Sequence, residues 1–195
     1  MVDLEPLKEH LSRKIGSLGG SWLVKGPYQH RLALELEAEP FYTDYCDCVW
    51  QGITLSMKRD GFFLDRVRYA QLLLGEGPDW GRDVVMLAFY TDRNYEVQDV
   101  LGVRMDGVIR LLGLDKSSAR SLLGLGRGPR RHPGYVCQPG PKRVLDSAEF
   151  HISRHPDRAF PPGPEELRKR RGYIESYPYH KLPTIKEPVA RKRRK

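Results

Sequence analysis

The first 126 residues of the chain predict an α+β domain, and three observations carry that reading. Leu4, Leu7, Leu11, Ile15 and Leu18 fall three or four apart, the spacing of one helical face. Leu32, Leu34 and Leu36 alternate with Arg31, Ala33, Glu35 and Glu37, as in a half-buried strand. Val84 to Tyr90 is a nearly continuous apolar run, as in a central strand covered on both faces.

The elements follow in chain order. A helix is predicted over 3–18, with Asp3 as cap, Pro6 tolerated in the first turn and Gly19-Gly20 as stop. A strand is predicted over 31–37, closed by Pro40. Residues 49–57 and 62–74 flank Lys58-Arg59-Asp60-Gly61, and Asp-Gly between apolar runs predicts a hairpin there. After the central strand, Thr91 to Asn94 forms a turn and 95–103 returns as a strand. Residues 106–125 form two short helices joined at Gly113-Leu114, the second capped by Asp115. The expected result is an N-terminal amphipathic helix, an antiparallel sheet of about four to five strands and two short helices.

Composition divides the chain at residue 126. Residues 1–126 hold 15 Lys+Arg and 18 Asp+Glu, a net of −3; residues 127–195 hold 18 and 7, a net of +11. Eleven of the 15 prolines lie in the second part, where they oppose continuous helix and central strand. Residues 127–195 therefore read as a basic, Pro/Arg-rich extension, partly disordered. Within it, 144–152 could form one short strand or helix, and 165–176 a charged helix. Three cysteines, an odd number, do not make a disulfide framework and suggest a reducing compartment. The first ten residues lack the apolar segment of a signal peptide, and no window is apolar enough to span a membrane. The expected location is nuclear if the source is eukaryotic or viral, otherwise cytoplasmic, and not secreted.

The sharpest motif is Arg191-Lys192-Arg193-Arg194-Lys195, preceded by Arg168-Lys169-Arg170-Arg171. Such runs serve as a nuclear-import address or a phosphate-binding arm; their ordinary reading is a solvated face. Tyr173, Tyr177 and Tyr179 sit among these cations. Arg with Tyr can grip phosphates and stack on unpaired bases, though tyrosines equally pack back onto a domain. Other candidates carry bland readings that outweigh them. The helix pair at 106–125 invites a helix-turn-helix with Lys116, Ser117 and Arg120 outward, but short core helices explain it as well. Cys46, Cys48, His132 and Cys137 could hold zinc, yet the C-x-C spacing is tighter than usual and the two halves of the set lie far apart in the chain. Glu35, Glu37 and Glu39 resemble nuclease carboxylates without the accompanying lysine. Gly124 to Gly128 lacks the Lys-Ser/Thr end of a phosphate loop. His151 and His155 have no evident nucleophile beside them.

The residues therefore point away from an enzyme and from a cofactor. They point to a nucleic-acid-binding accessory or regulatory protein, RNA or single strands favoured over duplex. The binding residues expected are Arg168, Lys169, Arg170, Arg171, Tyr173, Arg191, Lys192, Arg193, Arg194 and Lys195. The alternatives are an adaptor, possibly viral, that binds an acidic or host protein and uses its tail for nuclear import, and a small nuclease.

Overall fold

In the computed structural model, the described residues are 2–23, 28–60, 62–125 and 136–161. They form a three-layer α+β arrangement with one mixed sheet between two helical layers. The strands are β1 (Glu39–Pro40), β2 (Cys48–Trp50), β3 (Ile53–Arg59), β5 (Val85–Thr91), β6 (Val97–Arg104) and β8 (Phe150–Ser153), hydrogen-bonded in that order. A second, two-stranded sheet joins β4 (Leu64–Asp65) to β7 (Val136–Cys137). Helices α1 (Glu5–Lys14) and α2 (Tyr28–Glu35) cover one face. Helices α3 (Arg66–Leu74), α4 (Met105–Leu111), α5 (Lys116–Leu122) and α6 (Pro141–Leu145) cover the other. Each face has its own apolar core. Leu55, Met57, Val85, Leu87 and Phe89 point to the first; Met86, Ala88, Leu101 and Val103 point to the second.

The N-terminal helix forms where the leucine spacing places it. The Asp3 carboxylate accepts the Glu5 amide at 3.0 Å, and Pro6 occupies the first turn, where no amide donor is lost. Leu4, Leu7, Leu11, Ile15 and Leu18 are all buried against the sheet, each full burial contributing about 1.5–3 kcal/mol. Gly19 then bridges Glu96. A Cβ there would lie 2.6 Å from the Glu96 Cα, and φ is +133°, so the chain can make this close approach only without a side chain.

The alternating segment at 31–37 is not a strand. It is the end of α2, with Leu32, Ala33 and Leu36 buried and Leu34 56% exposed. Burial at i, i+1 and i+4 is a helical pattern. Leu, Ala and Glu are strong helix formers, and the segment has no β-branched residue to favour the pleat. The Asp-Gly hairpin also moves. The turn lies at Gln51-Gly52, whose φ values of +46° and +80° suit the tight turn that joins β2 antiparallel to β3. Asp60 serves instead as a tie between strands. Its carboxylate accepts the Thr91 amide at 2.7 Å and the Thr91 hydroxyl at 2.5 Å, joining the ends of β3 and β5.

After Asp60 the chain does not turn back as a strand. It crosses over through α3, capped by Asp65 on the Val67 amide at 2.9 Å, and returns as β5 parallel to β3. A parallel neighbour needs such a long connection. The sheet is therefore mixed, with six strands and one parallel pair, rather than wholly antiparallel. β5 is buried at every residue, and β6 pairs antiparallel beside it, as the apolar runs predict. Asp115 and Ser118 form a reciprocal capping box on α5, at 2.7 and 2.8 Å. Beyond residue 126 the chain contributes further core. β8 pairs with β6, Val144 of α6 is fully buried, and the compact unit runs to Pro161. Among the described residues, no helix is long and apolar enough to cross a membrane.

Candidate functional site

The residues singled out by sequence fall in several places. Arg168, Lys169, Arg170, Arg171, Tyr173 and Arg191 to Lys195 lie outside the described residues, as does His132. Lys116, Ser117 and Arg120 are exposed on α5, while Ala119 and Leu122 pack it into the second core beside α3. Cys46 and Cys48 belong to opposite cores, so their thiols do not converge. Burial pushes both thiols up, Cys48 to about 12. Cys137 sits in β7 opposite Leu64. The three glutamates do not share a strand face. Glu35 ends α2, Glu37 turns outward with φ of +56° and pairs with Lys14 at 2.5 Å, and Glu39 starts β1.

What the fold does bring together is a polar group at the carboxyl end of β5. The two parallel strands end side by side here, a position where open sheets with helices on both faces hold ligands. Tyr90 on β5 lies directly opposite Asp99 on β6. Both point to the second face. His151 on β8 reaches across from its place opposite Leu101, and its Nε2 meets Asp99 Oδ1 at 2.9 Å. Asp99 is 8% exposed and Tyr90 6%. Phe160 closes the group: its ring centroid is 5.1 Å from that of Tyr90, near edge-on, and 4.9 Å from that of His151.

The electrostatics are uneven. Burial, with Asp60 and then Asp99 adding negative potential, holds the Tyr90 phenol far above its usual range, so it stays a neutral hydroxyl. That hydroxyl is buried and has no hydrogen-bond partner among the described residues. A buried polar group in this state costs about 1–3 kcal/mol. Asp99 and His151 satisfy each other, and the carboxylate fixes the imidazole's orientation. The group can therefore donate from Tyr90 and accept at Asp99. Sequence reasoning passed over Asp99 and Tyr90; it read His151 as a surface residue, and His151 is indeed exposed, but its pairing with Asp99 was not foreseen. The signal was Asp99 itself: an acid within the apolar stretch Val97 to Val103 must be paired if that stretch is a buried strand.

A second feature lies at the β1 edge. Phe41 and Tyr42 are 45% and 55% exposed, and Phe41 and Tyr45 flank Trp80 with centroids 6.0 and 6.4 Å away. Asp44 and Asp79, next to Tyr45 and Trp80 in the chain, are exposed there, which does not favour a polyanion. No family model, no curated protein and no solved structure matches the chain.

Proposed function

We propose that the chain is a nucleic-acid-binding accessory or regulatory protein, the compact unit serving as scaffold and the residues after Pro161 as a cationic arm. One observation carries the reading. Residues 1–161 hold 22 Lys+Arg against 21 Asp+Glu, a net of +1, whereas the last 34 residues hold 11 against 4, a net of +7. Nearly all the surplus charge of the chain therefore follows the end of its compact unit. A solvated run of Arg and Lys neutralises phosphates and releases their counterions, which supplies sequence-independent affinity. The tyrosines in the run add planar surfaces for unpaired bases.

The test is a titration of single-stranded DNA, single-stranded RNA and heparin at several salt concentrations. If four cations engage, the log–log slope for single strands is expected near about −3. Replacing the nine cations of 168–171 and 191–195 by Gln flattens the slope and weakens all sequences alike, with the thermal midpoint unchanged. Absence of binding by the unmodified chain at low salt overturns the reading and leaves the adaptor.

A further inference from the structure

We propose that the slot between Tyr90 and His151, filled in this structure by Phe160, is a binding site for one unpaired nucleobase, preferably a base with an amino group beside a ring nitrogen. The inference rests on the nucleic-acid reading above and deepens it. The slot is built from three strands, so its walls are fixed by sheet register: Tyr90 opposite Asp99, and Asp99 bonded to His151 at 2.9 Å. Its present occupant matches its shape but not its chemistry. A phenyl ring packs tilted against the imidazole and meets the phenol edge-on, yet it offers nothing to the Tyr90 hydroxyl, which is buried without a partner among the described residues. Native structures pair such groups, and one left unpaired asks for an explanation.

A heteroaromatic ring in the same place removes the mismatch. A ring nitrogen accepts from the Tyr90 hydroxyl, and the adjacent amino group donates to Asp99, while the ring keeps the aromatic contacts that Phe160 makes with Tyr90 and His151. Adenine and cytosine present that acceptor–donor pair on one edge; uracil and thymine do not. The occupant is also placed to leave. Phe160 lies on an irregular segment after β8 whose residues 155–159 are exposed. Among the described residues, the backbone–backbone bonds on the segment are Arg154 N to Gln98 O and Arg158 N to His155 O, both before the ring. Arg168, which opens the first cationic run, follows a short stretch of chain later, so arm and slot are close along the polypeptide.

The experiment uses the full chain and a single-stranded oligonucleotide carrying one 2-aminopurine, a base with the required edge, alongside the same strand with an abasic site and with uracil at that position. The wild type is expected to quench the 2-aminopurine and to bind the abasic strand about tenfold more weakly, the size of one stacked base. Phe160→Ala strengthens binding of the 2-aminopurine strand and leaves the abasic strand unchanged. Tyr90→Phe, which keeps the ring, narrows the difference between the 2-aminopurine and uracil strands without altering the salt slope. If strands bind with the expected slope but neither variant changes the base-dependent difference, the slot is overturned and the arm stands. If strands do not bind at all, adenosine monophosphate is titrated against wild type and Phe160→Ala. Tighter binding by the variant sustains the slot without the arm, and equal or absent binding overturns it.

Discussion

The two faces of the sheet are made by the same strands, yet they treat buried polarity differently. On the face covered by α1 and α2, one buried polar side chain is His10, whose ring meets the Leu36 carbonyl at 2.9 Å and packs 4.9 Å from Trp50. It is satisfied, and it links the first helix to the end of the second. On the other face the polar group lies at the strand ends and is only partly satisfied: among the described residues Asp99 and His151 pair, while the Tyr90 hydroxyl does not. The difference teaches where to look for function. A satisfied buried polar group fixes a packing arrangement; an orphaned one beside a charged pair is a cost that packing alone does not explain.

The largest expected effect tests which residues make up the first face. Leu32→Lys puts an unpaired charge into a fully closed site and should cost about 4 kcal/mol or more. Leu34→Lys, two residues on, should stay within about 0.5 kcal/mol because Leu34 points to water on α2. Denaturant midpoints distinguish the two. Equal losses would mean that 31–37 is the strand its alternation suggests, with both leucines on one buried face.

That pair also shows how far the sequence could be read. α1 was legible because five apolar residues fit one helical face and no other period. α2 was not, because Leu32, Leu34 and Leu36 satisfy a period of two and, with Leu34 left out, a helix equally well; the absence of β-branched residues was the deciding clue. β5 and the Asp115 cap were legible from local pattern alone. The hairpin was misplaced because Asp-Gly is a strong local signal, whereas Gln51-Gly52 became a turn through the pairing of its flanks. The Tyr90–Asp99–His151 group was out of reach for a different reason. Its members meet only through the register of three strands, and β8 lies at the end of a stretch, 144–152, that reads equally as one short strand or helix.

A smaller effect probes the second face where it draws on residues beyond 126. Val144 is fully buried against that core, so Val144→Ala should cost about 2 kcal/mol, from two lost methyl groups and the cavity they leave. Differential scanning calorimetry should show one transition shifted as a whole. A variant with an unchanged midpoint would mean that α6 and β8 add little to the domain, and that the second core closes without them.

The smallest effect sets a buried carboxyl against an exposed one, through pH. Burial holds Asp47 above its ordinary value of 3.8, outweighing Lys58 and the bond it accepts from the Met57 amide at 2.6 Å. The folded state then binds this proton more tightly than the unfolded chain does. Asp47's contribution to stability is therefore greatest in acid and declines as pH rises from 3.8 through the raised value. Asp115 is the opposite case: hydrogen bonds from the Ser118 amide and hydroxyl hold it below 3.8, so its contribution is complete above that value and fades as pH falls through the lowered one. Asp47→Asn should accordingly gain on the wild type as pH rises, whereas Asp115→Ala should lose on it. Chemical denaturation from about pH 3 to pH 7 reads both slopes, since the ordinary value of 3.8 from which the two carboxyls depart in opposite directions lies in that window. Opposite signs are expected. A common sign would show that Asp47 is stabilised as a carboxylate by Lys58 and the Met57 amide, and that its burial is the lesser influence.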